Sequence, residues 1–187
     1  MIWIGLDPGV NGGLASLDTS SGKRIIETIK MPERPKDCLN WLKRHKKANT
    51  PIKAIVEQQL PRPTCFWKRD PGHPQGGTWT ASILKSTCLL YGNYMMMLGL
   101  LAAVEISCEV LQPKIWQREL DLIKPKKIST SDWKNVLKRR SIQEFPEVRV
   151  TLWNADALLL CHYGHRFVSC PPLRRAKPKG FICPTAV

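Results

Sequence analysis

Three acids stand where a chain places groups that do chemistry. Asp7 closes the apolar run from Ile2 to Leu6. Glu57 ends the run Lys53–Glu57, and Asp156 lies in the first turn of an apolar helical stretch beginning at Ala155. In an α/β sheet, strand ends converge on the crevice where ligands bind. One acid at such a place reads as a satisfied turn, and Asp156 alone suits the positive end of its helix. Three together read as a cluster. Carboxylates held a few ångströms apart repel one another unless a cation is shared between them. Mg2+ prefers oxygen ligands in octahedral geometry and keeps several waters. Two such ions ~3.5–4 Å apart activate an attacking water and stabilise the departing oxygen in phosphodiester cleavage.

The rest of the chain supplies a reason for that chemistry. Its 187 residues hold 29 Lys plus Arg against 15 Asp plus Glu, a net charge of +14. A domain this basic meets a polyanion, and nucleic acid is the first candidate. Lysines then hold the backbone while the acids hold the metal, a combination that reads as a nuclease. With 43% hydrophobic and 24% charged residues, the chain can bury a core and is not a disordered tail. The apolar run Tyr94–Val104 is far too short to span a bilayer. The N-terminus opens directly into a strand-like MIWIGLD with no export signal, so the expectation is a protein that is neither membrane-bound nor secreted. Seven cysteines form no CxxC pair, which favours reduced thiols. Cys161, His162, His165 and Cys170 fit no zinc spacing and read as a helix end.

The elements that must position the acids follow from punctuation and period. Ile2–Leu6, Gly12–Leu17 and Lys23–Met31 read as a three-stranded meander. Pro35–Lys47 is an amphipathic helix with a basic side, and Lys53–Glu57 is a fourth strand. Residues 58–77, rich in proline and glycine, are a long loop. Thr78–Val104 is a long helix, apolar on most faces from Met95 to Leu101, hence central in the core or at a dimer seam. A fifth strand (Ser107–Leu111), a short helix opened by Pro113, and a helix capped by Ser129 with Asp132 follow. Asn154 heads a last helix from Ala155 to about His165. Strands first, then alternating helix and strand, argue an α/β fold over residues 1–167. Residues 168–187, proline-rich and basic, read as a flexible tail.

Four segments carry a family resemblance: GLDPGVNGG at 5–13, AIVEQ at 54–58, LQPKIWQREL at 111–120 and NADALLLCHYG at 154–164. In this order they resemble the RuvC-type Holliday junction resolvases, nearest the bacteriophage and plant chloroplast branch. The resemblance implies an RNase H-like fold, a mixed five-stranded sheet with helices on both faces. It also implies a homodimer and paired, Mg2+-dependent nicks in four-way DNA junctions during recombination or replication. Two Mg2+ per site, with Mn2+ able to substitute, and a cytoplasmic, nucleoid or organellar setting belong to the same implication. By that resemblance Asp7, Glu57 and Asp156 are the catalytic metal ligands. The family carries a fourth acid or histidine just before the last acid, where this chain has Thr151, Leu152 and Trp153. Asn154 can lend a carbonyl to a metal or cap its helix, and Glu147 can reach the site if its loop folds back.

DNA contacts come from two places. Phe66 and Trp67, flanked by Lys68 and Arg69, either stack on bases opened at a junction or tuck their loop onto the core. Lys124, Lys126, Lys127 and Lys134, continued by Lys138, Arg139 and Arg140, either grip phosphates or form a solvated face. Two other enzyme readings share the metal-and-phosphate logic. An actin-like ATPase or sugar kinase would need about twice this length and a second glycine-rich phosphate loop. A nuclease for RNA–DNA hybrids differs only in substrate. A branched-DNA-binding relative that cuts weakly is the non-enzymatic alternative.

Overall fold

The computed structural model describes residues 1–47, 49–59 and 81–169. Five strands form one sheet: β1 (Ile2–Asp7), β2 (Gly13–Asp18), β3 (Ile25–Lys30), β4 (Ile52–Glu57) and β5 (Ser107–Leu111), in the order β3-β2-β1-β4-β5. β1, β2 and β3 pair antiparallel as the expected meander, whereas β4 and β5 join parallel. A parallel partner needs a crossover, and α1 (Pro35–His45) and α2 (Ala81–Ala103) lie in the two crossovers. The remaining helices are α3 (Pro113–Glu119), α4 (Thr130–Glu144) and α5 (Ala155–Tyr163).

Both faces of the sheet are covered, so β1 is buried along its whole length rather than alternating. Ile2, Ile4 and Leu6 pack with Cys38, Trp41 and Leu42 of α1 and with Tyr94, Met97 and Leu101 of α2. Trp3, Ala15, Leu17 and Ile55 face the opposite core, with Trp116, Trp133, Leu137 and nearly all of α5. The expected mixed five-stranded sheet with helices on both faces is therefore present. Among the described residues no helix is long and apolar enough to cross a membrane.

Two local expectations shift. The last helix ends at Tyr163 and continues as a π-helical turn, Gly164–Val168, where the sequence reading ran an α-helix to His165. Phe167 and Val168 pack against the core, so the folded chain continues past 167. In α2, Met97 is buried but Met95 is exposed, so the methionine triplet straddles the boundary between core and surface. The Ser129 cap forms as read: Asp132 N donates to Ser129 Oγ at 3.1 Å, and that hydroxyl donates to Asp132 Oδ2 at 2.6 Å.

Candidate metal centre

The three acids arrive at one point by three different routes. Asp7 is the last residue of β1 and pairs with Gly13 of β2. The parallel register sets Leu6 beside Val56, which brings the next residues, Asp7 and Glu57, to the same end of neighbouring strands. α5 packs directly on β1: a Cβ added to Gly5 would stand 2.0 Å from Ala157 O, so only glycine allows this approach. That contact lays the first turn of α5, with Asp156, over the strand ends. One carboxylate oxygen from each acid lies within 4.8 Å of the others. Among the described residues this trio is the group able to hold a metal ion.

A tight turn fixes Asp7. Gly9 N donates to Asp7 Oδ1 at 3.0 Å, and Gly12 N donates to Gly9 O at 2.8 Å. A Cβ on Gly12 would lie 2.2 Å from the Asp7 carbonyl and 2.7 Å from its Cγ. Glu57 is held from two sides, by Trp116 Nε1 at 3.2 Å and Gln59 Nε2 at 2.9 Å. Neither donor is apparent from the sequence, although Trp116 sits in the LQPKIWQREL segment that carries part of the resemblance.

Electrostatics mark the trio as incomplete. Asp7, Glu57 and Asp156 are 6%, 7% and 2% exposed. Burial, followed by repulsion from Asp156, pushes the Asp7 carboxyl up to about 6. Burial, followed by repulsion from Asp7 and Asp156, raises Glu57 well above the usual glutamate value. Asp156 Oδ1 is buried with no hydrogen-bond partner among the described residues. An orphaned buried carboxylate oxygen beside two repelling carboxylates fits a hard divalent cation such as Mg2+.

The fourth cationic or ligand position is filled differently from the expectation. Lys134, read as a DNA contact, extends from α4 and ion-pairs with Asp156 Oδ2. Burial opposes its charge, but Asp156, Asp7 and Glu57 together hold its pKa above the ordinary lysine value. Asn154 neither caps α5 nor offers a bare carbonyl. Its Oδ1 accepts from Thr151 N at 2.7 Å and Thr151 Oγ1 at 3.1 Å, while its Nδ2 donates to Arg149 O and Thr28 Oγ1. Glu147 pairs with Arg24 at 3.4 Å, so its loop does not turn it into the site. Lys124, Lys126 and Lys127 are exposed on the connection between α3 and α4. Phe66, Trp67, Lys68 and Arg69 lie outside the described residues.

No family model matches the sequence, and no curated protein matches it. Solved structures do. T. thermophilus RuvC in complex with a Holliday junction substrate aligns with a TM-score of 0.51 at 14% identity, over 89% of this chain and 96% of that one. A second T. thermophilus RuvC structure aligns at 0.49 and 16% identity, over 92% and 100%. The first alignment, spanning nearly both chains, places this protein in the RuvC-like, RNase H-like α/β fold.

Proposed function

We propose that this chain is a divalent-metal-dependent endonuclease that resolves four-way DNA junctions. The observation that carries the reading is the convergence of three buried carboxylates at the ends of β1, β4 and α5 in a chain of net charge +14. Asp7, Glu57 and Asp156 would hold the ion, Mg2+ or Mn2+ in its place. Held there, such an ion supplies Lewis-acid stabilisation of the charge that builds on a phosphodiester undergoing hydrolysis. The protein's own part is to fix the carboxylates, exclude bulk water from all three, and keep the Asp7 turn rigid through Gly9 and Gly12.

The substrate reading rests on a solved structure of the same fold bound to a Holliday junction. Lys124, Lys126 and Lys127 would take backbone phosphates, and Phe66 and Trp67, with Lys68 and Arg69, would meet bases at the branch point. Two protomers are required for paired nicks on opposite strands, with the nuclease domain running through the π-helical turn that ends at Val168 and the basic residues beyond it as an arm.

One observation favours a second reading. Lys134 already neutralises Asp156, and no fourth acid joins the cluster among the described residues, as suits a junction-binding protein that cuts weakly. A single gel experiment decides between them. Labelled four-way junction, linear duplex, flap and RNA–DNA hybrid are each incubated with Mg2+ or EDTA. Symmetric nicks confined to the junction with Mg2+ are expected. Binding without cutting selects the second reading, and preferential cutting of the hybrid overturns both.

A further inference from the structure

The residues that precede Asp156 are committed elsewhere. Trp153 lies against Gly13, where an added Cβ would come within 2.7 Å of its Cε3. The Asn154 oxygen is engaged by Thr151, and Glu147 by Arg24. The position left beside Asp156 is taken by the Lys134 ammonium, whose partner carboxylate is 3% exposed. Three carboxylates and one ammonium leave two negative charges, which a single divalent cation balances. Asp156 Oδ1, buried and unpartnered among the described residues, remains for that ion together with Asp7 and Glu57.

We propose that this is a one-ion centre, in which Lys134 is a built-in cation on the Asp156 side and stands where a second divalent ion would otherwise bind. The inference rests on the metal site proposed above and departs from the pair of ions that the family resemblance implies. Two cations a few ångströms apart on one carboxylate repel each other, and the tethered ammonium needs no capture from solution. Lys134 is long, charged and 40% exposed at its side chain, so it also has open space through which to meet a phosphate oxygen. It acts as a positioning residue for the ion and its surroundings.

Mn2+ binding tests this directly, because a pair of Mn2+ ions ~3.5–4 Å apart gives a spin-coupled resonance spectrum and a single ion gives six lines. The full-length protein is titrated with Mn2+ calorimetrically and by electron paramagnetic resonance. Samples are taken free and bound to a four-way junction whose backbone resists cleavage, with the DNA-only spectrum subtracted. Wild type should take one Mn2+ per protomer with no coupling in either state. Lys134→Met should bind Mn2+ at least about tenfold more tightly, while Lys134→Arg should stay within about threefold of wild type. A coupled pair in wild type, or unchanged affinity in Lys134→Met, overturns the proposal. Thermal melts establish that each variant folds; were Lys134→Met to unfold, the wild-type and Lys134→Arg spectra still decide. A protein that cuts junctions with a coupled pair defeats the one-ion centre and leaves the nuclease reading standing. One that binds a single Mn2+ and cuts nothing does the reverse.

Discussion

Trp116 Nε1 donates to Glu57 Oε1 across 3.2 Å, joining a fully buried ring of α3 to the acid at the end of β4. Since Gln59 holds the other oxygen, Glu57 is oriented from both sides before any ion arrives. Trp116→Phe keeps most of the packed ring and removes the donor. A hydrogen bond to a charged group contributes about 1.5–3 kcal/mol. Affinity for Mn2+ in the variant is expected to fall about tenfold or more, with melting lowered by only a few degrees. Calorimetric titration beside a thermal melt checks both; equal affinity would show that Glu57 needs no such orientation.

The acids should separate in metal-free buffer, although the proposed nuclease would need all three for cutting. Asp7→Asn and Glu57→Gln each remove one of the buried, mutually repelling carboxylates, so melting in EDTA should rise by a few degrees. Asp156→Asn instead strips Lys134 of its partner and should lower the melting temperature, with stability reduced by about 1–2 kcal/mol after allowing for the part-exposed lysine. Junction cleavage should drop below a few per cent in all three, with junction binding nearly intact. More cleavage than that in any variant removes its residue from the site.

These contrasts also show where the sequence could be read and where it could not. Asp7 and Glu57 were legible because each ends an apolar run, and strand ends are where an α/β sheet puts its ligands. Their adjacency was not, because it depends on the Leu6–Val56 register between strands fifty residues apart. Lys134 looked like one cation in a basic run. What singles it out is the anchoring of its neighbours Trp133 and Leu137 in the core, which places α4 against α5. Trp116 was hidden for a related reason: a tryptophan in a short helix reads as packing, and its N–H partner lies 59 positions away. Asn154 has the residue type of an N-cap, but its backbone is helical (φ −104°, ψ −8°) and its side chain turns back to Thr151. Only the preceding loop's shape determines that.

Gly5 sets the distance between α5 and β1. A Cβ there would meet Ala157 O at 2.0 Å and Cys161 N at 2.9 Å, both backbone atoms that no rotamer change can move. Gly5→Ala must therefore lift α5 and carry Asp156 away from Asp7. Destabilisation of about 3 kcal/mol or more is expected, together with lost Mn2+ binding in whatever fraction remains folded. Urea unfolding and calorimetry measure the two effects. A variant with wild-type stability would show that the helix seats differently on the strand.

Asp18, at the far end of β2, gives the acid dependence. Burial alone would raise its carboxyl, but Ser20 N, Ser20 Oγ and Lys47 Nζ, at 2.9, 2.6 and 2.9 Å, hold it well below the usual aspartate range. The folded value is thus below the unfolded one, and the unfolded chain binds the extra proton. The stabilisation is complete above the ordinary aspartate pKa of about 4 and is lost as pH falls through it toward the lower folded value. Asp18→Asn should cost about 1–3 kcal/mol at pH 7 and much less near pH 2. Urea melts of both proteins at the two pH values test this; an equal gap at both would mean the charge of Asp18 contributes nothing.

The exposed side of α2 bears on assembly. Tyr94, Met97 and Leu101 turn into the core, which leaves Leu89, Tyr91 and Met95 at 47%, 40% and 48% exposure. Gly92, Gly99, Ala102 and Ala103 lie exposed beside them. Among the described residues a Cβ on Gly92 or Gly99 would meet nothing within 4 Å, so packing against those residues does not require their small size. A second α2 crossing the first about a two-fold axis would use it, because small residues let two backbones approach while the larger side chains interdigitate. The expected species by light scattering is therefore twice the chain mass of 21.3 kDa. Met95→Glu places a charge in the seam and should give monomers with an unchanged circular dichroism spectrum, since Met95 carries little of the core. If the chain resolves junctions as proposed, paired nicking should then become single, unlinked nicks, because each active site would meet the junction alone. A wild-type protein that stays monomeric with and without junction DNA would remove α2 as the seam and the requirement for two protomers with it.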